Sequence, residues 1–92
     1  MDSLDEIIIN LCKINNEEIM KKLLTELFTP SEIKDITLRW QLLKMLAEGI
    51  SQREIASTLG ISLCKITRGS KILKDENSIL NIILCKNNET IK

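Results

Sequence analysis

The chain has 92 residues, 43% of them hydrophobic, with 13 basic and 13 acidic residues and no histidine. That length makes one small domain, residues 1–92, which buries only a modest share of its unfolded surface. Phe28 and Trp40 are the only aromatics, too few for the stacking platforms of single-stranded nucleic-acid binders, and no apolar run approaches the roughly 20 residues of a membrane span.

The predicted elements are all helical, about six in number, since one proline and three glycines argue against sheets and long loops. Leu4, Ile7, Ile8, Leu11 and Cys12 form the stripe of a first helix, ended by the turn-prone pair Asn15-Asn16. Asn16 caps a second, in which Glu17 and Glu18 suit the positive N-terminus and Ile19, Met20, Leu23, Leu24 and Leu27 face inward. Thr29-Pro30-Ser31-Glu32 is a capping box with a proline at the first helical position. The helix it opens runs to about Glu48 and stops at Gly49, with Ile33, Ile36, Trp40, Leu43, Met45 and Leu46 as its apolar surface. A last helix spans Asp75 to about Cys85, and the tail from Lys86 to Lys92 frays.

Between these, the stretch from Ser51 to Lys74 carries the most information. Ser51 and Glu54 make a second capping box, and Ile55, Ala56 and Leu59 recur at helical spacing. Gly60 stands where the chain must turn sharply into a left-handed backbone. Ser62 caps the next helix, from which Ile66 points back, with Ile61, into the first. Leu63, Cys64, Lys65, Thr67, Arg68 and Lys71 then fall on the wetter side. A short helix with exposed basic and hydroxyl residues, braced by another, is a helix-turn-helix over about 51–72, the geometry that enters a major groove. An ordinary helical hairpin in a small core would show the same apolar residues, but not the charge. Residues 51–74 hold Arg53, Lys65, Arg68, Lys71 and Lys74 against Glu54 alone, while residues 1–50 sum to −3 and residues 75–92 to −1. The formal zero hides a basic patch of the kind that meets phosphates.

Cys12, Cys64 and Cys85 are widely spaced and odd in number. They read as small apolar fillers of a reducing cytoplasm, with Cys64 as the exposed exception, and no metal site is expected. The acidic start Met1–Glu6 is unlike a secretory signal. No nucleophile stands beside a base and no glycine-rich phosphate loop is present, so an enzyme is not expected. Several stripes, notably Ile7-Ile8-Ile9, Leu23-Leu24 and Ile82-Ile83-Leu84, are too broad for one partner. At about 25 cal/mol per Å2 of apolar burial, covering them favours a second subunit. Two reading helices related by a two-fold axis also suit a palindromic duplex.

Over roughly residues 25–74 the sequence resembles the tryptophan repressor family. The sharpest pieces are the Thr29-Pro30 helix start, Arg39, Ser51-Gln52-Arg53-Glu54 and, most specific, Ile66-Thr67-Arg68-Gly69-Ser70. The resemblance implies an intertwined all-α homodimer that binds double-stranded operator DNA with L-tryptophan as corepressor, and needs no other cofactor. By position it implies that Arg39 and Arg68 sandwich the indole ring, an arrangement suited to guanidinium planes. It further implies that Thr29 hydrogen-bonds the ligand carboxylate, that Gly69 lets the backbone lie close to the ring, and that carbonyls near Glu26 and Phe28 accept from its ammonium. The implied DNA-contacting positions are Gln52, Arg53, Leu63, Cys64, Lys65, Thr67 and Arg68. Gln52 and Arg53 suit phosphate clamping, Leu63 and Cys64 a thymine methyl, and Lys65 a charge contact. Few of these hydrogen-bond bases directly, so water-mediated and shape readout carry much of the specificity, for which this family is itself the standard example.

Two departures stand out. Ile72 replaces a serine that helps hold the family's ligand, which weakens tryptophan binding or moves preference toward a related indole. The chain also opens almost directly on its first helix, so an added N-terminal arm is not expected to contribute. Two other readings fit the residues: a helix-turn-helix module that ignores tryptophan, and a helical interaction subunit whose basic segment meets an acidic protein.

Overall fold

A computed structural model of the chain describes residues 2–85. These form six α-helices in the order α1 (Ser3–Lys13), α2 (Glu17–Leu27), α3 (Pro30–Ala47), α4 (Gln52–Leu59), α5 (Leu63–Lys74) and α6 (Ile79–Cys85), with no strand among the described residues. The expected fraying tail, residues 86–92, lies outside them. The chain groups into two compact units, with the boundary between Lys34 and Asp35 inside α3.

Local signals set the helix ends. The Asp2 carboxylate accepts from the Asp5 N–H at the start of α1, and the Asn16 side chain accepts from the Ile19 N–H at the start of α2. The Thr29 box is fully reciprocal: Thr29 N–H donates to Glu32 Oε1 at 2.9 Å and Glu32 N–H donates to Thr29 Oγ1 at 3.1 Å. Glu32's carboxyl is consequently held below its ordinary value, first by the Thr29 backbone N–H and then by the Thr29 hydroxyl. Helix α3 ends in a Schellman pattern, with Gly49 N–H donating to the Leu46 carbonyl and Ile50 N–H to the Met45 carbonyl.

The first unit contains no buried residue among its described positions. Ile14, Met20, Leu24 and Ile33 are half-buried around an open apolar depression, while Leu4, Ile8, Ile9, Ile19 and Leu27 remain exposed. Among the described residues, the four buried hydrophobic side chains, Leu42, Leu43, Ile55 and Ile66, belong to the second unit. Ile55 and Ile66 are fully buried and meet Leu42, with Met45, Leu46, Ile50, Ala56, Leu59 and Ile61 packed around them.

Three sequence expectations change here. Leu42 joins the core of α3, whereas Ile36 and Trp40 stay exposed; α3 has apolar groups on several sides, and α4 with α5 covers only one. Helix α6 begins at Ile79 rather than Asp75. The Asp75 carboxylate accepts from the Asn77 N–H at 2.9 Å, an Asx turn that competes with helix, and Ser78 then serves as the cap by accepting from Asn81 N–H. The Asn81 amide donates in turn to the Leu73 carbonyl, tying α6 to the end of α5. Finally, Cys12 and Cys85 are exposed rather than fillers, as is Cys64, because α1 and α6 bury no residue in this chain.

Candidate nucleic-acid interface and effector cleft

Helices α4 and α5 meet through a turn whose geometry follows from three residues. The Ser51 hydroxyl accepts from Glu54 N–H at 3.2 Å and starts α4. Gly60, at φ 65° and ψ 36°, ends it in the left-handed region, where any side chain would be strained. Two residues later the Ser62 hydroxyl accepts from Lys65 N–H at 3.4 Å and starts α5. Ile55 and Ile66 face each other across the turn and bury the inner side of the pair. What remains outside is the set expected from the sequence. Gln52 and Arg53 are exposed on the first turn of α4, and Leu63, Cys64, Lys65, Thr67 and Arg68 are exposed on α5. Leu63 is 53% exposed, a large apolar side chain held in water on a helix whose neighbours are cationic. Thr67 differs from the expectation in one respect: its hydroxyl donates to the Leu63 carbonyl at 2.9 Å, so only its oxygen lone pairs are free to face a partner.

Behind this surface, α3 and α5 enclose a cleft of about 320 Å3, at the small end of the roughly 300–1,000 Å3 of small-molecule sites. Its α3 wall is Asp35, Leu38, Arg39, Leu42 and Leu43, and its other wall is Ile61 with Lys65, Arg68, Gly69 and Ile72. Arg39 and Arg68 therefore border the same space, one from each helix. Gly69 is buried where the helices pack. A Cβ built there would stand 3.3 Å from Leu43 Cδ2 and 3.4 Å from Leu46 Cδ1, so this glycine sets how closely α5 approaches α3. That packing role accompanies the one implied by resemblance, since Gly69 also lines the cleft.

Thr29 belongs to the first unit and is not among the lining residues. Its oxygen is already engaged by Glu32. Asp35 was missed by sequence reasoning, and Lys65 was read only as a DNA contact. Helical spacing held the signal for both: Asp35 is four residues before Arg39, and Lys65 three before Arg68, so each shares a face with an arginine already singled out.

The described structure is thus an all-helical protein whose second unit presents a helix-turn-helix over a small amphipathic cleft. A model of the family described as Trp repressor protein matches residues 2–88. The chain is 43% identical over 68 residues to a Trp operon repressor homolog of Xylella fastidiosa (strain M23), spanning 73% of this chain and 74% of that protein. It is 40% identical over 68 residues to one of Chlamydia trachomatis serovar D, covering 72% of each. A Trp operon repressor homolog of Vibrio campbellii is 45% identical over 56 residues, 60% of this chain and 56% of that protein. No solved structure matches. This chain belongs to the Trp repressor family, a family of transcription regulators and not of enzymes.

Proposed function

We propose that this chain is a tryptophan-responsive transcriptional repressor: residues 1–92 act as one DNA-binding domain of a homodimer, with L-tryptophan as corepressor. The observation that supports this most directly is the pair Arg39 and Arg68 bordering one cleft, the first on α3 and the second on the exposed helix α5. A flat indole between two guanidinium planes gains stacking and cation–π attraction, and the ligand carboxylate gains a cation. The cleft then couples to DNA through α5 itself. A ligand wedged against Arg68 sets the tilt of α5 on α3, and hence the separation of two such helices across a two-fold axis. Coupling of this kind is reciprocal, with tryptophan and DNA each strengthening the other by the same factor.

In this reading Gln52, Arg53 and Lys65 hold phosphates, Leu63 and Cys64 offer apolar contact, and Thr67 accepts rather than donates. Thr29 is retained in this reading as the hydroxyl that meets the ligand carboxylate. The exposed Leu4, Ile8, Ile19 and Leu27 support that assembly, since a lone chain leaves them in water. The protein meets its operator in the cytoplasm, where its exposed cysteines stay reduced.

The test is selection from random duplexes with L-tryptophan present, followed by titration of the selected duplex with and without it. The expected result is a palindromic duplex bound about tenfold or more tightly with tryptophan, within the usual range of allosteric coupling. Arg39→Ala should remove that difference while leaving the ligand-free affinity in place. Equal affinities with and without tryptophan in the parent protein would eliminate the corepressor role, and absence of any selected duplex would eliminate DNA reading.

A further inference from the structure

The outer face of α5 continues past the DNA-facing residues described so far. Ile66 and Gly69 are buried against α4 and α3, and the Leu73 carbonyl accepts from the Asn81 amide of α6. The side of α5 turned away from those contacts carries Cys64, Thr67, Arg68 and Lys71, each exposed. At about 3.6 residues per turn, a step of seven positions brings the chain almost back to one line, so Lys71 stands within about 20° of Cys64 around the helix. Thr67 and Arg68 flank that line on either side.

The helical neighbours of Lys71 do not answer its charge. Arg68 and Lys74, three residues to either side, carry the same sign, and like charges at neighbouring positions destabilise a helix. Thr67 is neutral. Asp75, four residues on, has left helical geometry at φ −79° and ψ 111°, and its carboxylate accepts from Asn77 N–H. A run of cations whose mutual repulsion is left in place fits a polyanion as partner. Distance says where on the polyanion. Two helical turns carry Lys71 about 10 Å along the axis from Cys64, close to the width of the major groove at about 12 Å. With the first turn of α5 over base edges, Lys71 therefore stands at the groove wall, where the phosphates are. Lys74 lies about 80° round the helix from the Cys64 line. It sits in the last turn, where a lysine complements the C-terminal carbonyls.

We propose that Lys71 grips a backbone phosphate at the wall of the groove that Cys64 faces, and that Lys74 does not. The proposal rests on the DNA-reading part of the function proposed above. Its test uses the full chain with L-tryptophan, the selected duplex and a scrambled duplex of equal length, titrated between about 50 and 200 mM salt. Each phosphate contact contributes about 0.9 to the slope of log affinity against log salt. Lys71→Gln should lower the parent's slope by about 0.9 per bound chain. It should weaken both duplexes by one factor, because a phosphate carries no sequence. Lys71→Arg should keep the parent's slope, and so should Lys74→Gln. A lysine that served only the helix end would move the urea midpoint and not the slope. A slope unchanged by Lys71→Gln, or lowered as much by Lys74→Gln, overturns the assignment of Lys71 and leaves DNA reading in place; so does a loss confined to the selected duplex. If the parent binds neither duplex, DNA reading and this proposal are overturned together.

Discussion

The two units of this chain are built from helices of similar quality and end in opposite states. In the first, α1 and α2 are 11 residues each, carry side-chain caps at Asp2 and Asn16, and bury nothing. In the second, α4 has only eight residues, yet with α3 and α5 it encloses Ile55 and Ile66 completely. Caps and periodicity therefore fix where helices begin and which face is apolar, but not whether that face finds cover within its own chain. Isolated helices shorter than about 12–15 residues are marginal in water, so α1 and α2 need packing from somewhere. A second copy of the chain is the source that the proposed repressor dimer provides.

The largest expected effect contrasts the units directly. Ile66→Ala should cost about 2–5 kcal/mol in urea unfolding, as expected for a fully buried side chain. Ile8 is 46% exposed in the single chain, so Ile8→Ala would cost under about 1 kcal/mol if that face met water. The dimer reading expects Ile8→Ala to approach the buried figure and the unfolding midpoint to rise with protein concentration. A midpoint independent of concentration, with a negligible Ile8→Ala effect, would break the comparison in favour of a solvated first unit.

A smaller effect probes the helix contact that shapes the cleft. Gly69→Val should destabilise by about 1–3 kcal/mol through crowding, and should weaken tryptophan by pushing α5 off Leu43 and Leu46. Gly69→Ala should be nearly neutral in stability. Its gain in helix propensity, up to about 1 kcal/mol, is offset by a Cβ placed 3.3 Å from Leu43 Cδ2. A tolerated valine would show that α3 and α5 are less closely tied than the described packing implies.

The smallest effect lies at the Thr29 box. Glu32's carboxyl is lowered in the folded chain by the Thr29 N–H and hydroxyl, so the unfolded chain binds its proton more readily. Stability from this group is present above the ordinary carboxylate range and is lost as pH falls through the lowered value. Acid titration of helicity should therefore show a loss in the parent that Glu32→Gln flattens. Identical acid limbs in the two proteins would remove Glu32 from the account.

Much of this molecule was legible in one dimension because its signals are local. Asn16, Thr29, Ser51, Ser62 and Gly60 act within four residues, and all five end or start helices where expected. The misreading of α6 had a local cause too: the Asp75 side chain competes with the helix for backbone N–H groups, and periodicity cannot see that competition. Leu42 and the exposed Trp40 were undecidable from α3 alone, since which side of a broadly apolar helix is covered depends on its partners.

Sequence by itself determined six helices, the caps at Asn16, Thr29, Ser51 and Ser62, the basic helix-turn-helix and the family to which Arg39 and Arg68 point, because each rests on residues close together or on a distinctive motif. Only the tertiary structure decided that those two arginines share a cleft and that Asp35 and Lys65 join them there. It also decided that Gly69 sets the approach of α5 to α3. Such facts depend on how α3 crosses α5, and that crossing is fixed by side-chain volumes at Leu42, Leu43 and Leu46 meeting a residue without one, 23 or more positions further along the chain.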